Sequence, residues 1–423
     1  MTPTVSVKPA TSQYRWVICA LLFFATVIAY VDRSVLANLE TYLEKVFNFD
    51  KEQYSNMTAA FSAAYAIGLF FAGRITDRLG TRKGFAIAIV LWSLSAMVLG
   101  GAFNVTSLAV AMFLLGLGEA ANFPACIKTV AEWFPKKERA LSTGIFNSGA
   151  NFGNIITPIV VTVLFATVGW RMTFVITGAT GFLWLACWLW LYRKPEEHPK
   201  VSPSELALIQ SDPAEKIASV PWARLFPTKE TWAFALAKFL TDPIWWFYLF
   251  WLPPYIQKTF NVDMSRSSLP LAVIYLISTV GSVGGGYIPA VFLSRGSSLN
   301  VSRKMALLIC AVCVLPVLYV PYATDLWVAV VLIGIAAAAH QGWSANLFTV
   351  PSDTFPKAAV ASVVGIGGMV GSIGNVLFQK LAGYLVKATN SYTILFLTAG
   401  AAYLAAMVVL QILTPKLSPA KVD

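Results

Sequence analysis

Twelve long apolar segments constrain this chain more than any other feature. They run at about 14–37, 54–75, 84–102, 106–127, 139–166, 170–192, 231–258, 267–291, 303–322, 325–349, 357–385 and 390–413, near the roughly 20 residues that a helix needs to cross a hydrocarbon layer. The runs are continuous rather than alternating, which excludes a closed barrel. Helices are then the remaining way to satisfy the backbone in lipid. Charged residues make up 12% of the 423 positions, about half the share of a soluble domain. The expected fold class is an all-α membrane protein with twelve transmembrane helices.

The net charge of +11 does not point to nucleic acid, because the basic residues lie in short gaps between apolar runs rather than along one polar face. If both termini are cytoplasmic, the inside gaps and tails hold 22 Lys and Arg residues, from Lys8 and Arg15 through Lys216 to Lys416 and Lys421. The outside gaps hold six: Lys45, Lys51, Arg171, Lys258, Arg266 and Lys387. The positive-inside rule therefore predicts cytoplasmic termini.

The longest gap, about 193–230, divides the spans six and six. The expected organisation is an N-terminal six-helix bundle at 1–192, a cytoplasmic linker at 193–230 and a C-terminal bundle with a short tail at 231–423. Ser202-x-x-Glu205 is a capping box able to open a short helix in the linker. Two similar bundles joined in this way form the architecture of alternating-access carriers, with the substrate near the midplane. Small residues such as Gly281, Gly284, Gly285, Gly286, Gly365, Gly367, Gly368, Gly371 and Gly374 permit close helix contact, whether for sliding or for static packing. The first apolar run lacks a small-residue cleavage site and reads as a retained span. Cys19, Cys126, Cys187, Cys310 and Cys313 fall in apolar runs and are expected to be buried small residues, not a metal or redox centre.

Between the second and third spans stands Gly73-Arg74-Ile75-Thr76-Asp77-Arg78-Leu79-Gly80-Thr81-Arg82-Lys83. Gly73 allows two helices to touch, Gly80 permits a tight turn, Asp77 can pair with a helix end or an Arg, and Arg78 and Arg82 hold the loop inside. The spacing resembles G-x-x-x-D-R-x-G-x-R-K of the major facilitator superfamily. That resemblance implies a latch between the bundles that does not touch substrate. The equivalent stretch from Ser294-Arg295-Gly296 is degenerate. Tyr30-Val31-Asp32-Arg33, Gly118-Glu119-Ala120-Ala121-Asn122-Phe123-Pro124, Glu132-Trp133-Phe134-Pro135 and Gly169-Trp170-Arg171 are similar to pieces of the anion:cation symporter family. That family includes galactonate and glucarate carriers and sialin. Val301-Ser302-Arg303-Lys304-Met305 and Ala339-His340-Gln341 look most like bacterial hexuronate transporters.

The resemblance implies a proton-coupled importer of small organic anions, sugar acids such as glucuronate or galacturonate. It would work as a monomer amid lipid in the bacterial inner membrane, with the proton as coupling ion and no other cofactor or metal. The rival expectations are an exchanger or sodium-driven carrier of another carboxylate, and a non-transporting anion sensor. An enzyme is not expected, since no metal cluster, nucleophile–base set or phosphate-cradling loop is present.

A charge inside a membrane helix costs at least about 2.5–3.5 kcal/mol, so each demands a reason. The cases are Asp32, Arg33, Glu119, Lys238, Asp242, His340 and Lys380. The fork of Arg33 suits bidentate capture of a carboxylate, and the resemblance assigns it to the substrate; a structural pair with Asp32 or snorkelling is the alternative. A carboxyl among Gly116, Gly118, Ala120 and Ala121 can carry a proton, and the resemblance gives Glu119 the coupling role; a neutral hydrogen-bonded glue is the alternative. Asp32 is a second proton site or the counter-ion of Arg33. Met112 stands where related carriers have an Arg, so a charge relay through that position is absent or rerouted. By family position, Tyr30, Tyr65, Asn147, Asn151, Trp246, Tyr248, His340, Gln341, Trp343 and Asn375 are candidates to line the site, each with packing as its alternative. Lys238 and Asp242, four apart on one helix, are expected to pair.

Overall fold

The computed structural model describes residues 12–211 and 222–420, all helices and their connections. Lys8, Lys216 and Lys421 therefore lie outside the described residues. The first three apolar segments are α1 (Tyr14–Phe47), α2 (Lys51–Leu79) and α3 (Thr81–Gly100). The fourth is divided into α4 (Val105–Glu119) and α5 (Asn122–Trp133). Pro124 has no amide to bond the Ala120 carbonyl, which accounts for a break directly after Glu119. The fifth and sixth form one tract, α6 (Lys136–Leu191), bent at Gly169, whose φ of 76° suits a residue without a Cβ.

Two short helices, α7 (Pro203–Ile209) and α8 (Trp222–Leu225), precede α9 (Lys229–Thr259) and α10 (Met264–Ser294). Then come α11 (Leu299–Val314), extended by a 3-10 turn where Pro316 and Pro321 fall, α12 (Leu326–Leu347) and the short α13 (Thr349–Thr354). The chain closes with α14 (Lys357–Thr389) and α15 (Thr393–Leu413). Each expected span thus coincides with a helix or two adjoining helical pieces. Nine stretches of the described residues are long and apolar enough to cross a membrane. The tract Leu141–Leu191 counts once among them although it holds two expected spans, and α2 and α9 are not included.

Local chemistry sets the helix ends. Asp50 and Asn104 form capping boxes with Gln53 and Ser107, and Asp263, Ser298 and Asp325 accept from first-turn amides. Ser202 caps α7 by accepting from the Glu205 amide at 3.2 Å. The Glu205 carboxylate does not complete that box. It accepts instead from the amides of Tyr14 and Arg15, each at 3.1 Å, and so caps α1, whose own Gln13 provides no side-chain cap.

Helices α1–α6 pack on one another, as do α9–α15. The two groups meet where α2 lies on α14, α6 on α10 and α1 on α9. Several glycines serve the close approaches. Gly281 and Gly285 face the α12 backbone at Ala338 and Gly342, and Gly367, Gly371 and Gly374 face α9, whereas Gly284, Gly286 and Gly368 look onto open space. Leu183, Val280, Leu377 and Ile412 are exposed on the outer flanks, an apolar coat suited to lipid. Cys19, Cys126 and Cys310 are buried as expected, but Cys187 and Cys313 are exposed. They sit on faces of α6 and α11 turned away from the core, a direction that an apolar run does not reveal.

The groups are fastened together at the face opposite the chain termini. Gln257 donates to the Asn38 carbonyl at 3.2 Å and the Tyr54 hydroxyl to the Phe250 carbonyl at 2.6 Å. Lys258 pairs with Glu44, and Lys387 with Asp50 at 2.9 Å and Glu52 at 2.8 Å. Lys380, exposed on α14, reaches Asn56 of α2. Between these residues lies a cavity of about 480 Å³ lined by Glu44, Lys51, Tyr255, Lys258 and Lys387.

Candidate functional site

At the junction of α1, α2, α4 and α9 a single cation is enclosed. Arg33 is buried on α1, and its Nε and Nη2 lie 2.8 and 2.6 Å from Glu119 Oε2. Four rings surround the guanidinium. Its Cζ is 4.3 Å from the Tyr30 ring centre, 5.3 Å from those of Phe61 and Tyr65, and 5.1 Å from that of Trp246. Aromatic faces attract a desolvated cation, each by up to about 2 kcal/mol. Trp246 comes from the second helix group and the other three rings from the first, so the cage spans their boundary.

The cage exists because α4 can approach α2. A Cβ on Gly116 would lie 2.3 Å from the Phe61 carbonyl oxygen, so a glycine is required there for Phe61 and Glu119 to reach Arg33 together. Phe61 was not among the residues expected from sequence. Its signal was available, since it stands one turn before Tyr65 on the same face of α2.

Both Arg33 nitrogens converge on one carboxylate oxygen. Glu119 Oε1 is buried without a hydrogen-bond partner among the described residues. Asp32, adjacent in sequence, is also fully buried, and neither of its oxygens is hydrogen-bonded among the described residues. The expectation of Asp32 as counter-ion of Arg33 is therefore corrected: neighbours on a helix point about 100° apart, and Glu119 occupies that place. Met112 is fully buried in the apolar core of α4.

The remaining candidates fall into two places. Some bridge the helix groups: Gln341 donates to Asn151 at 3.2 Å and Asn375 to the Ser62 hydroxyl at 2.9 Å. Asn147 is exposed one turn before Asn151. Others lie inside the second group. The His340 ring stacks on Trp245 at 5.2 Å, and its Nδ1 lies 2.5 Å from the Tyr403 hydroxyl. Trp343 meets Tyr403 edge-on at 5.5 Å. The Tyr248 hydroxyl and Trp343 indole nitrogen are buried without partners among the described residues. Lys238 and Asp242 pair at 2.7 Å.

Around the loop motif, Gly80 takes a φ of 76° and Arg78 is exposed. Arg82 donates to the Leu189 carbonyl, and Thr81 to Glu132 at 2.7 Å. Gly73 and the side chain of Asp77 lie outside what the structure describes. Gly296, in the degenerate counterpart, also has a positive φ, 83°.

The sequence matches the model of the Major Facilitator Superfamily over residues 22–379. It is 32% identical over 413 residues to the hexuronate transporter of Escherichia coli (strain K12), covering 95% of this chain and 94% of that one. It is 32% identical over 300 residues to the galacturonate transporter of Dickeya chrysanthemi, covering 69% of this chain and 86% of the relative. A solved bacterial homologue of the human lysosomal transporter Spinster superposes with a TM-score of 0.74 at 17% identity, covering 96% of each chain; at that identity the likeness is one of fold. With its apolar helices and relatives that are transporters rather than enzymes, this multi-pass membrane protein belongs to the Major Facilitator Superfamily.

Proposed function

We propose that the protein is a proton-coupled symporter that imports small organic anions, sugar acids such as glucuronate or galacturonate, by alternating access. Its setting is a bacterial inner membrane, with both termini in the cytoplasm and twelve crossings. The observation that carries this reading is the caged Arg33–Glu119 pair at the boundary of the two helix groups. Arg33 supplies a planar double donor that matches a carboxylate. Glu119 now occupies it, so an incoming carboxylate and Glu119 compete for one cation. A proton on Glu119, whose Oε1 is a free acceptor site, removes the competing charge and releases the fork to the anion. Proton and anion then bind together, which is what symport requires. Asp32, buried beside this pair, is a second proton site in the same scheme.

Tyr30, Tyr65 and Trp246 wall the anion. Asn151, Gln341 and Asn375, now bonded across the boundary, must change partners when the groups rock. With the termini inside, the fastening at the opposite face corresponds to a state closed to the outside. The names of the relatives support the substrate class.

The test is uptake of radiolabelled glucuronate into proteoliposomes, with and without an inward proton gradient, for wild type, Arg33→Ala and Glu119→Gln. Gradient-driven uptake that Arg33→Ala abolishes and Glu119→Gln uncouples is the expected result. Uptake indifferent to the gradient overturns proton coupling, and absence of uptake by folded wild type overturns the hexuronate assignment.

A further inference from the structure

We propose that Lys238 and Asp242 form a second anchor of the site, one that holds the hydroxylated end of the sugar acid and rejects a second carboxylate. This rests on the transport function proposed above.

The pair is placed for that task. Lys238 Nζ lies 2.7 Å from Asp242 Oδ2, with side chains 8% and 24% exposed. Lys238 is also held over the Phe348 ring at 4.6 Å. Both charges belong to α9, so their bond ties no two helices together, and a buried pair that fastens nothing is a weak stabiliser. Within a membrane-spanning helix, ionisable groups of this kind mark a substrate path by default.

The register of α9 supplies the direction. Lys238, Asp242, Trp246 and Phe250 recur every four residues, each step turning about 40°, so Asp242 stands beside Trp246 on one face and Lys238 lies about 80° round from Trp246. Trp246 covers Arg33, and both Trp246 and Phe250 touch Phe61. The face that closes the cage therefore carries Asp242 next to it, with Asp242 about 6 Å and Lys238 about 12 Å along the axis from Trp246. A six-carbon acid of ordinary bond lengths spans about 6–7 Å, so a carboxylate at Arg33 sets the far hydroxyls level with Asp242. On its other side the pair meets nearly bare backbone. A Cβ on Gly371 would come within 2.6 Å of Asp242 Oδ2, and one on Gly367 within 3.3 Å of Lys238 Cδ.

The chemistry discriminates. A carboxylate accepts from hydroxyls and an ammonium donates to them, so the pair suits a polyol. A second carboxylate would meet Asp242 first and be repelled, a device of specificity by exclusion.

Two variants test this in proteoliposomes: Asp242→Asn, and the exchanged pair Lys238→Asp with Asp242→Lys. The exchange keeps an ion pair at the same spacing, so it rescues a purely structural role. Glucuronate KM and competition by galactarate, a six-carbon acid with carboxylates at both ends, are the readouts. Asp242→Asn is expected to raise the glucuronate KM about tenfold, and the exchanged pair to improve galactarate as a competitor about tenfold relative to wild type. If both variants keep wild-type KM and wild-type competition, or if the exchange restores both, the anchor is overturned while transport stands. If folded wild type takes up no glucuronate, the hexuronate assignment fails, and the anchor with it.

Discussion

Replacing Glu119 with Gln removes a charge while preserving the size of the side chain. In the wild-type protein Arg33 donates two bonds, of 2.8 and 2.6 Å, to one Glu119 oxygen, and in the proposed mechanism an incoming carboxylate displaces them. Hydrogen bonds to charged groups contribute about 1.5–3 kcal/mol each, and a neutral acceptor retains roughly half of that. The amide therefore competes for Arg33 less strongly by about 1.5–3 kcal/mol over the two bonds. That corresponds to anion binding about ten- to a hundredfold tighter. In the ligand-free state the same change leaves a buried cation without a counter-charge, which destabilises by up to about 3–5 kcal/mol. Thermal unfolding of the detergent-solubilised protein across a glucuronate titration measures both effects, because a ligand stabilises by RT ln(1 + [L]/Kd). The expected variant unfolds earlier without ligand and gains more from it. A Glu119→Gln protein with wild-type ligand-free stability and a weaker glucuronate response refutes the competition for Arg33.

Other consequences can be measured separately. Gly116→Val should destabilise the protein by about 1–3 kcal/mol through overpacking and abolish uptake, since a Cβ there meets the Phe61 carbonyl; unchanged stability in detergent would exclude the close α2–α4 approach. Glu205→Ala should lower stability by about 0.5–2 kcal/mol by uncapping α1, and a thermal midpoint equal to wild type would show that the cap is idle. Lys258→Glu should loosen the fastened face by about 1 kcal/mol or less and expose a cysteine placed at the buried Ser55 to a water-soluble maleimide. Labelling that stays at the wild-type level would place the restraint elsewhere.

The twelve segments were legible because continuous apolar runs and proline or glycine breaks act locally. Pro124, Gly169 and Pro316 sit where a span divides, bends or tightens. The caged site was legible only in part. Arg33 and Glu119 stood out as charges in apolar surroundings, and Tyr30, Tyr65 and Trp246 by family position, whereas Phe61 was signalled only by standing one turn before Tyr65. The partner of Arg33 could not be read from adjacency, because Asp32 is next in the chain while Glu119 is 86 positions away. His340 and Trp343 looked equivalent to Gln341, yet helix rotation turns the first two into the second group and the third across the boundary. Such rotation depends on tertiary packing, which a single sequence does not encode visibly.

The cap on α1 has a temporal consequence. Glu205 follows Arg15 by 190 positions, so on a ribosome the amides at the start of the first helix stay bare until five further spans and part of the linker have been made. Its arrival also brings Arg15 the second of its two carboxylates, after Glu138. Completion of the first helix group is thus signalled by a residue translated after that group has ended. The second group, emerging next, meets a partner already sealed.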